Sequence, residues 1–140
     1  MSFGQSIALI AFALSMGTIA VTYGVAVVQE TAAICNPFWD GCTDITHTGM
    51  KGDGGFIFRG GMIAATSFFV IWWAIMRVWL TDYAGRWALM SMQAFGTLAA
   101  LGLLVGTAVL LPDKDAVRWV VHVKGANLFF QGMPIPLPIN

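Results

Sequence analysis

Apolar positions fall into four runs along this chain, and the polar positions crowd between them. From Met1 to Gln29 there is no charged side chain, and Ile7, Leu9, Ile10, Phe12, Leu14, Ile19 and Val21 frame an almost unbroken greasy stretch. About 20 apolar residues cross a hydrocarbon layer of roughly 30 Å, so the run predicts a first helix over 3–28 that can cross with tilt. A cleaved secretory signal would carry a basic start and a shorter apolar centre. Neither is present, and the helix is expected to be retained.

The second run predicts a helix over 56–80. Arg59 and Arg77 bracket its uncharged stretch 60–76, and long cationic side chains at such positions reach out to the two interfaces. The third run, 87–111, stops at Pro112, which cannot continue a helical hydrogen-bond ladder. Trp72, Trp73, Trp79, Tyr83 and Trp87 collect around one end, as an aromatic belt does.

The fourth run, 117–133, is different, because it contains His122, Lys124, Asn127 and Gln131. A central lysine costs about 2.5–3.5 kcal/mol on insertion scales, while each strong apolar residue returns only about 0.3–0.6 kcal/mol. The balance is close to zero. Lys124, Asn127 and Gln131 recur at spacings of three and four, so they share one helix face. That face either packs inward, giving a buried or re-entrant fourth segment, or lies flat at the interface; the inward arrangement is the expectation carried forward. The tail 134–140 alternates proline and is expected to be extended.

Composition changes the picture in one respect. Charged residues are 10% of the 140 and hydrophobic residues 58%, against roughly 25% charged in ordinary soluble domains. Seven basic and seven acidic side chains cannot clothe a small water-soluble globule. The same numbers exclude disorder, and a net charge of zero leaves no footprint for nucleic acid. The predicted fold is all-α: an integral membrane helical bundle, a single domain over 1–133, with three transmembrane helices and a marginal fourth segment.

The connection 30–55 holds most of the candidate chemistry. Cys35 and Cys42 flank Asn36-Pro37 and Asp40-Gly41, both turn-forming pairs, so a disulfide closing a small loop is expected in an oxidising compartment; free thiols are the alternative. A zinc site would need more ligands of the usual kind than His47 supplies. The positive-inside signal is weak. Arg77 and Arg86 flank the short loop 81–86, which favours a cytoplasmic N-terminus and a first loop outside; a bacterial inner membrane is the expected location. Loops this long without helical pattern are commonly functional. Asp44, His47 and Asp53 in the loop, with His122 and Lys124 in the fourth segment, are the candidate functional polar groups. Small residues spaced by four mark helix faces that approach closely in lipid, as seams within the bundle or as an interface with a second copy or a partner subunit: Ala13/Gly17 and Ala20/Gly24 on the first helix, Gly96/Ala100 and Gly102/Gly106 on the third.

In order, these pieces resemble the DRAM-like family of membrane proteins, named for the damage-regulated autophagy modulator. The resemblance rests on the loop segment Ile45-Thr46-His47-Thr48-Gly49, the Phe56-Ile57-Phe58-Arg59 start of the second helix, the Gly-rich third helix, and Val120-Val121-His122 leading to Gly125-Ala126. It implies a helical bundle without a cofactor, whose relatives are associated with lipid organisation and membrane trafficking. The family has six helices where four segments are predicted here, and Met50-Lys51-Gly52-Asp53 replaces its acidic Pro-Glu. Both departures imply a shortened form that completes its bundle against another protein.

The functional expectation is a non-catalytic accessory subunit or lipid-interface module, in contact with membrane lipids and with other membrane subunits or a second copy of itself. Two other classes compete. A lipid-modifying enzyme would use a histidine beside a carboxylate as general base, though no nucleophile–base–orienter spacing is visible and Ser67 and Ser91 have no evident partner. A haem or redox subunit would take His47 and His122 as axial ligands, without any c-type attachment motif.

Overall fold

The computed structural model describes residues 2–36, 39–110 and 116–132. Its elements are α1 (Phe3–Val28), α2 (Ile45–Thr48), α3 (Gly52–Trp79), α4 (Arg86–Ala108) and α5 (Ala116–Gly132). Among the described residues there is no strand. The fold is an all-α bundle, and α1, α3 and α4 are long and apolar enough to cross a membrane.

Chain order governs the packing. α1 lies on α3, α3 on α4 and α4 on α5, with α2 seated on α1. Neighbouring helices run antiparallel. Gly4 meets Trp79 and Ile75, Gly61 meets Thr18, and Gly52 meets the Gln29 side chain. Gly96 lies on Trp73, while Gly102 and Gly106 lie on Gly125. The helices therefore stand in a curved row from α1 to α5, in which α5 also reaches α3 where the Phe69 and Phe129 rings meet.

Most of what the helices bury is small or hydroxylated, with Ile7, Phe58, Met62 and Leu89 as the larger exceptions. α1 turns Gly4, Ile7, Ala11, Ser15, Thr18, Thr22 and Ala26 inward, a strip at steps of three and four. α4 buries Gly96, Ala99, Ala100, Gly102 and Gly106. Large apolar side chains such as Phe12, Val21, Ile71, Phe95 and Leu101 point outward. This inverts the arrangement of a water-soluble core and matches helices that associate by close backbone approach in lipid. The buried hydroxyls bond within their own helices: Ser15 donates to the Ala11 carbonyl at 2.8 Å, Thr66 to Met62 at 2.9 Å and Thr107 to Leu103 at 2.7 Å.

Thr22 is the exception among the described residues, for its fully buried Oγ1 has no hydrogen-bond partner. An orphaned buried hydroxyl costs about 1–3 kcal/mol, and replacing it by an apolar group of the same shape removes that cost. Thr22→Val is expected to stabilise the folded chain by about 1 kcal/mol, read as a raised midpoint of thermal unfolding in detergent. An unchanged or lowered midpoint contradicts it.

Several boundaries differ from expectation for identifiable reasons. α3 starts at Gly52, one turn before the expected residue 56. Gly52, Gly54 and Gly55 read as loop glycines, yet Gly54 and Gly55 form a closely packed first turn. A Cβ at Gly54 would lie 3.0 Å from the Thr48 carbonyl oxygen, and one at Gly55 3.2 Å from that of Gly49. The supposedly patternless connection 30–55 also holds α2, whose N-cap is Asp44. α4 ends at Ala108 with Val109 as its C-cap, short of the predicted 111. α1 ends as expected at Val28, closed by Glu30 at φ 56°. The Thr31 amide bonds Ala26 and the Glu30 amide bonds Val27, the pairing of a Schellman cap. Residue 133 and the tail 134–140 lie outside the described residues.

Two larger expectations need correction. Ala13, Gly17, Ala20 and Gly24 do not form a seam inside the bundle: all four are exposed, and a Cβ at Gly17 or Gly24 would meet nothing within 4 Å. α1 packs instead through the strip that holds Ser15, Thr18 and Thr22, where Ser15 folds its hydroxyl back onto the Ala11 carbonyl and Thr18 faces Gly61. The polar face of the fourth segment does not pack inward either. Lys124, Asn127 and Gln131 are exposed, while His122, Gly125, Ala126 and Phe129 turn toward the bundle. Glycine decides the matter, since only the face bearing Gly125 lets two backbones meet.

Candidate functional site

At one end of the row the C-terminus of α1, the loop with α2, the start of α3, the end of α4 and the start of α5 come together. Beneath them Met50, Phe58, Met62 and Leu110 form a buried apolar cluster, flanked by Ile19, Ile45 and Leu103.

The last carbonyls of a helix have no partner within it, and the end of α4 is served from both sides. Arg59 of α3 donates from Nη1 to the Leu110 carbonyl at 2.7 Å, with its guanidinium 5.3 Å from the Phe56 ring centre. His122 of α5 lies 2.7 Å from the Gly106 carbonyl through Nδ1. A carbonyl only accepts, so Nδ1 carries the hydrogen. Cationic or donor groups at a helix C-terminus also complement its macrodipole. His122 is buried and lies against Trp119, ring centres 5.4 Å apart.

Asp44 stands on the loop side. Its Oδ1 accepts the His47 amide at 2.5 Å and the Thr46 hydroxyl at 2.7 Å, which starts α2. Burial pushes the Asp44 carboxyl up, but those two hydrogen bonds and the charges of His47 and His122 outweigh it and hold the group below its usual range. His122 is thus close enough to act electrostatically on Asp44. A carboxyl depressed in the folded state contributes stability above its unfolded value of about 3.9 and loses it as pH falls through the folded value. Hydrogen exchange at the His47 amide is expected to accelerate as pH falls below about 4, after correction for intrinsic rates, and Asp44→Asn should flatten that profile. Equal profiles contradict the assignment.

Of the five polar groups singled out in the sequence, Asp44, His47 and His122 gather at this end. Asp53 stands at the same end but is engaged with α1, accepting Gln29 Nε2 at 2.9 Å, and Lys124 is exposed on α5. Arg59 belongs to the site and was read only as an interfacial anchor. Its distance of 51 residues from the carbonyl it serves hid that role. Among the described residues no three His, Cys, Asp or Glu side chains form a group able to hold a metal ion.

The disulfide shapes a second feature. Cys35 and Cys42 are bonded, with Cα atoms 6.6 Å apart. Tyr23 of α1 fastens this loop: its hydroxyl accepts the Cys35 amide at 2.8 Å, and its single hydrogen lies between the carbonyls of Ala33 and Cys35. Between loop and helix runs an open groove of about 600 Å³, floored by Ala20 and Gly24, walled by Met16, Ile19 and Val27, and roofed by Ile34, Cys35, Asn36, Ile45 and Thr48. Ala20 and Gly24, one of the two small-residue pairs of α1, therefore make room for a groove.

These features define a class: an all-α bundle with three helices able to cross a membrane and a polar cluster under a disulfide-pinned loop. Compared with protein-family models, with curated proteins and with solved structures, the chain matches none.

Proposed function

We propose that this chain is a non-catalytic integral membrane protein that serves as an accessory subunit of a larger membrane complex. The observation that carries the reading is the exposed polar stripe of α5, at the end of a row whose other long helices show apolar side chains. Polar groups inside a bilayer face protein or water-filled cavities, so a stripe turned away from its own bundle asks for another subunit. On this reading the chain is a shortened DRAM-like protein. Its N-terminus is cytoplasmic, its first loop lies outside a bacterial inner membrane, and the Cys35–Cys42 bond supports that side for the loop.

Gentle detergent extraction followed by mass measurement tests this. A stoichiometric larger membrane partner is expected, with no turnover by the isolated chain. Extraction as a lone chain from native membranes overturns it.

The groove on α1 favours a second reading, a lipid-interface module, because apolar clefts of several hundred Å³ with a few polar groups are the usual form of small-molecule sites. Replacing its floor with Gly24→Leu should then abolish retention of co-extracted lipid and leave folding intact, since a Cβ there meets nothing. A lipid-modifying enzyme would draw on Asp44, His47 and His122 at this end of the bundle. Loss of turnover in the His47→Ala, His122→Ala double variant would favour that class over both.

A further inference from the structure

We infer that the outer face of α5 is a docking surface for a transmembrane helix of a different protein, one carrying a carboxylate within its apolar span. The inference rests on the accessory-subunit reading and names the chemistry of the partner.

Position comes first. Along α3 the two bracketing arginines are 18 residues apart (77 − 59), about 27 Å at 1.5 Å per residue, close to a hydrocarbon thickness. Phe69 sits between them, ten residues from one and eight from the other. The Phe129 ring of α5 meets the Phe69 ring, centres 6.0 Å apart. Phe129 therefore marks the middle of the apolar layer. Asn127 and Gln131 lie within two residues of that level, and Lys124 about 7–8 Å from it along the helix.

Direction comes next. Each residue turns a helix by about 100°. Gly125 and Phe129 face the bundle, Gly125 against Gly102 and Gly106, whereas Lys124, Asn127 and Gln131 centre on the opposite side and are exposed. Because Lys124, Asn127 and Gln131 all stay exposed, no other described helix covers that side.

Charge then selects the occupant. A second copy fits poorly. Parallel two-fold pairing through this face sets Lys124 beside Lys124, a like-charge pair where the dielectric is low. Nor does the chain own a carboxylate at this depth: Glu30, Asp40, Asp44, Asp53, Asp82, Asp113 and Asp115 all fall outside the runs between the interfaces. An ammonium in such surroundings is accommodated by a carboxylate, which the partner must bring. Asn127 and Gln131, deeper on the same face, supply interhelical hydrogen bonds.

The test uses the full chain in phosphatidylcholine vesicles. The probe is a synthetic transmembrane leucine–alanine peptide with one glutamate about five residues from its centre, or with leucine or lysine in that place, and association is read by fluorescence energy transfer. The glutamate peptide is expected to bind at least tenfold more tightly than the leucine peptide. Lys124→Met should erase that preference, and Lys124→Glu should transfer it to the lysine peptide. Equal binding of all peptides overturns the inference. So does strong self-association that Lys124→Met abolishes, which makes the occupant a second copy. Glutamate binding that appears only after removal of residues 133–140 also overturns it, with the tail as occupant. In native membranes, a larger partner retained equally by wild type and Lys124→Met overturns this inference and leaves the accessory reading standing. Wild type extracted alone, while still choosing the glutamate peptide, sinks the accessory reading and supports acid recognition.

Discussion

Gly125→Leu is expected to detach α5 from α4. A Cβ at Gly125 would lie 2.7 Å from both the Gly102 carbonyl oxygen and the Gly106 amide nitrogen, and 2.8 Å from the Gly106 Cα. These are backbone atoms, so no rotamer change relieves the clash. Gly102 is in the same position from the other side, its Cβ site 2.7 Å from the Gly125 carbonyl oxygen. Overpacking a well-fitted contact costs about 1–3 kcal/mol and sometimes more, and a leucine between two backbones belongs at the upper end. The His122 bond to Gly106 is lost with the contact. The readouts are a lowered unfolding midpoint in detergent and faster tryptic cleavage after Lys124. Gly60→Ala is the control. It lies on α3 in open space and should be neutral or stabilising, because alanine is a better helix former than glycine by about 1 kcal/mol. Equal loss in both variants would show that Gly125 matters only as a generic helix position.

Arg59→Leu should rank second. It removes the donor to the Leu110 carbonyl, which belongs to a residue only 2% exposed. A buried acceptor left without a partner costs about 1–3 kcal/mol. The guanidinium also joins the start of α3 to the end of α4, so the damage should appear locally before it appears globally. Expected results are a loss of about 2 kcal/mol in unfolding free energy and faster hydrogen exchange through the last turn of α4. Arg59→Lys keeps the charge but not the planar fork, and should recover part of the loss. If Leu restores as much stability as Lys, Arg59 is merely an interfacial anchor.

Both effects lie where the sequence was hardest to read. The existence of α1, α3 and α4 was legible because hydropathy alone reports what surrounds a long apolar run. The bond between Cys35 and Cys42 was legible from their spacing and the turn residues between them. The small-residue pairs illustrate the boundary well. Gly96, Ala100, Gly102 and Gly106 did mark a seam, while Ala13, Gly17, Ala20 and Gly24, with the same spacing, faced outward. Spacing says that residues share a face, but not which face meets a neighbour. On α1 the seam within the bundle runs through Ser15, Thr18 and Thr22, which the four-residue spacing of small residues does not mark.

The candidate site was half legible. Asp44, His47 and His122 stood out as ionisable groups in a chain with few of them, and the fold brought them to one end. Arg59 at the Leu110 carbonyl and Tyr23 at Cys35 were not predicted, because those pairings depend on antiparallel register between helices.

By itself, then, the amino-acid order determined how much of this polypeptide seeks an apolar surrounding, where helices run, and which few groups carry charge. Tertiary structure alone decided which side of each helix is covered. The reason is physical: hydropathy is a property of single segments, whereas burial belongs to pairs of surfaces. Close backbone contact at Gly102, Gly106 and Gly125 sealed one side of α5, and that choice turned Lys124, Asn127 and Gln131 outward.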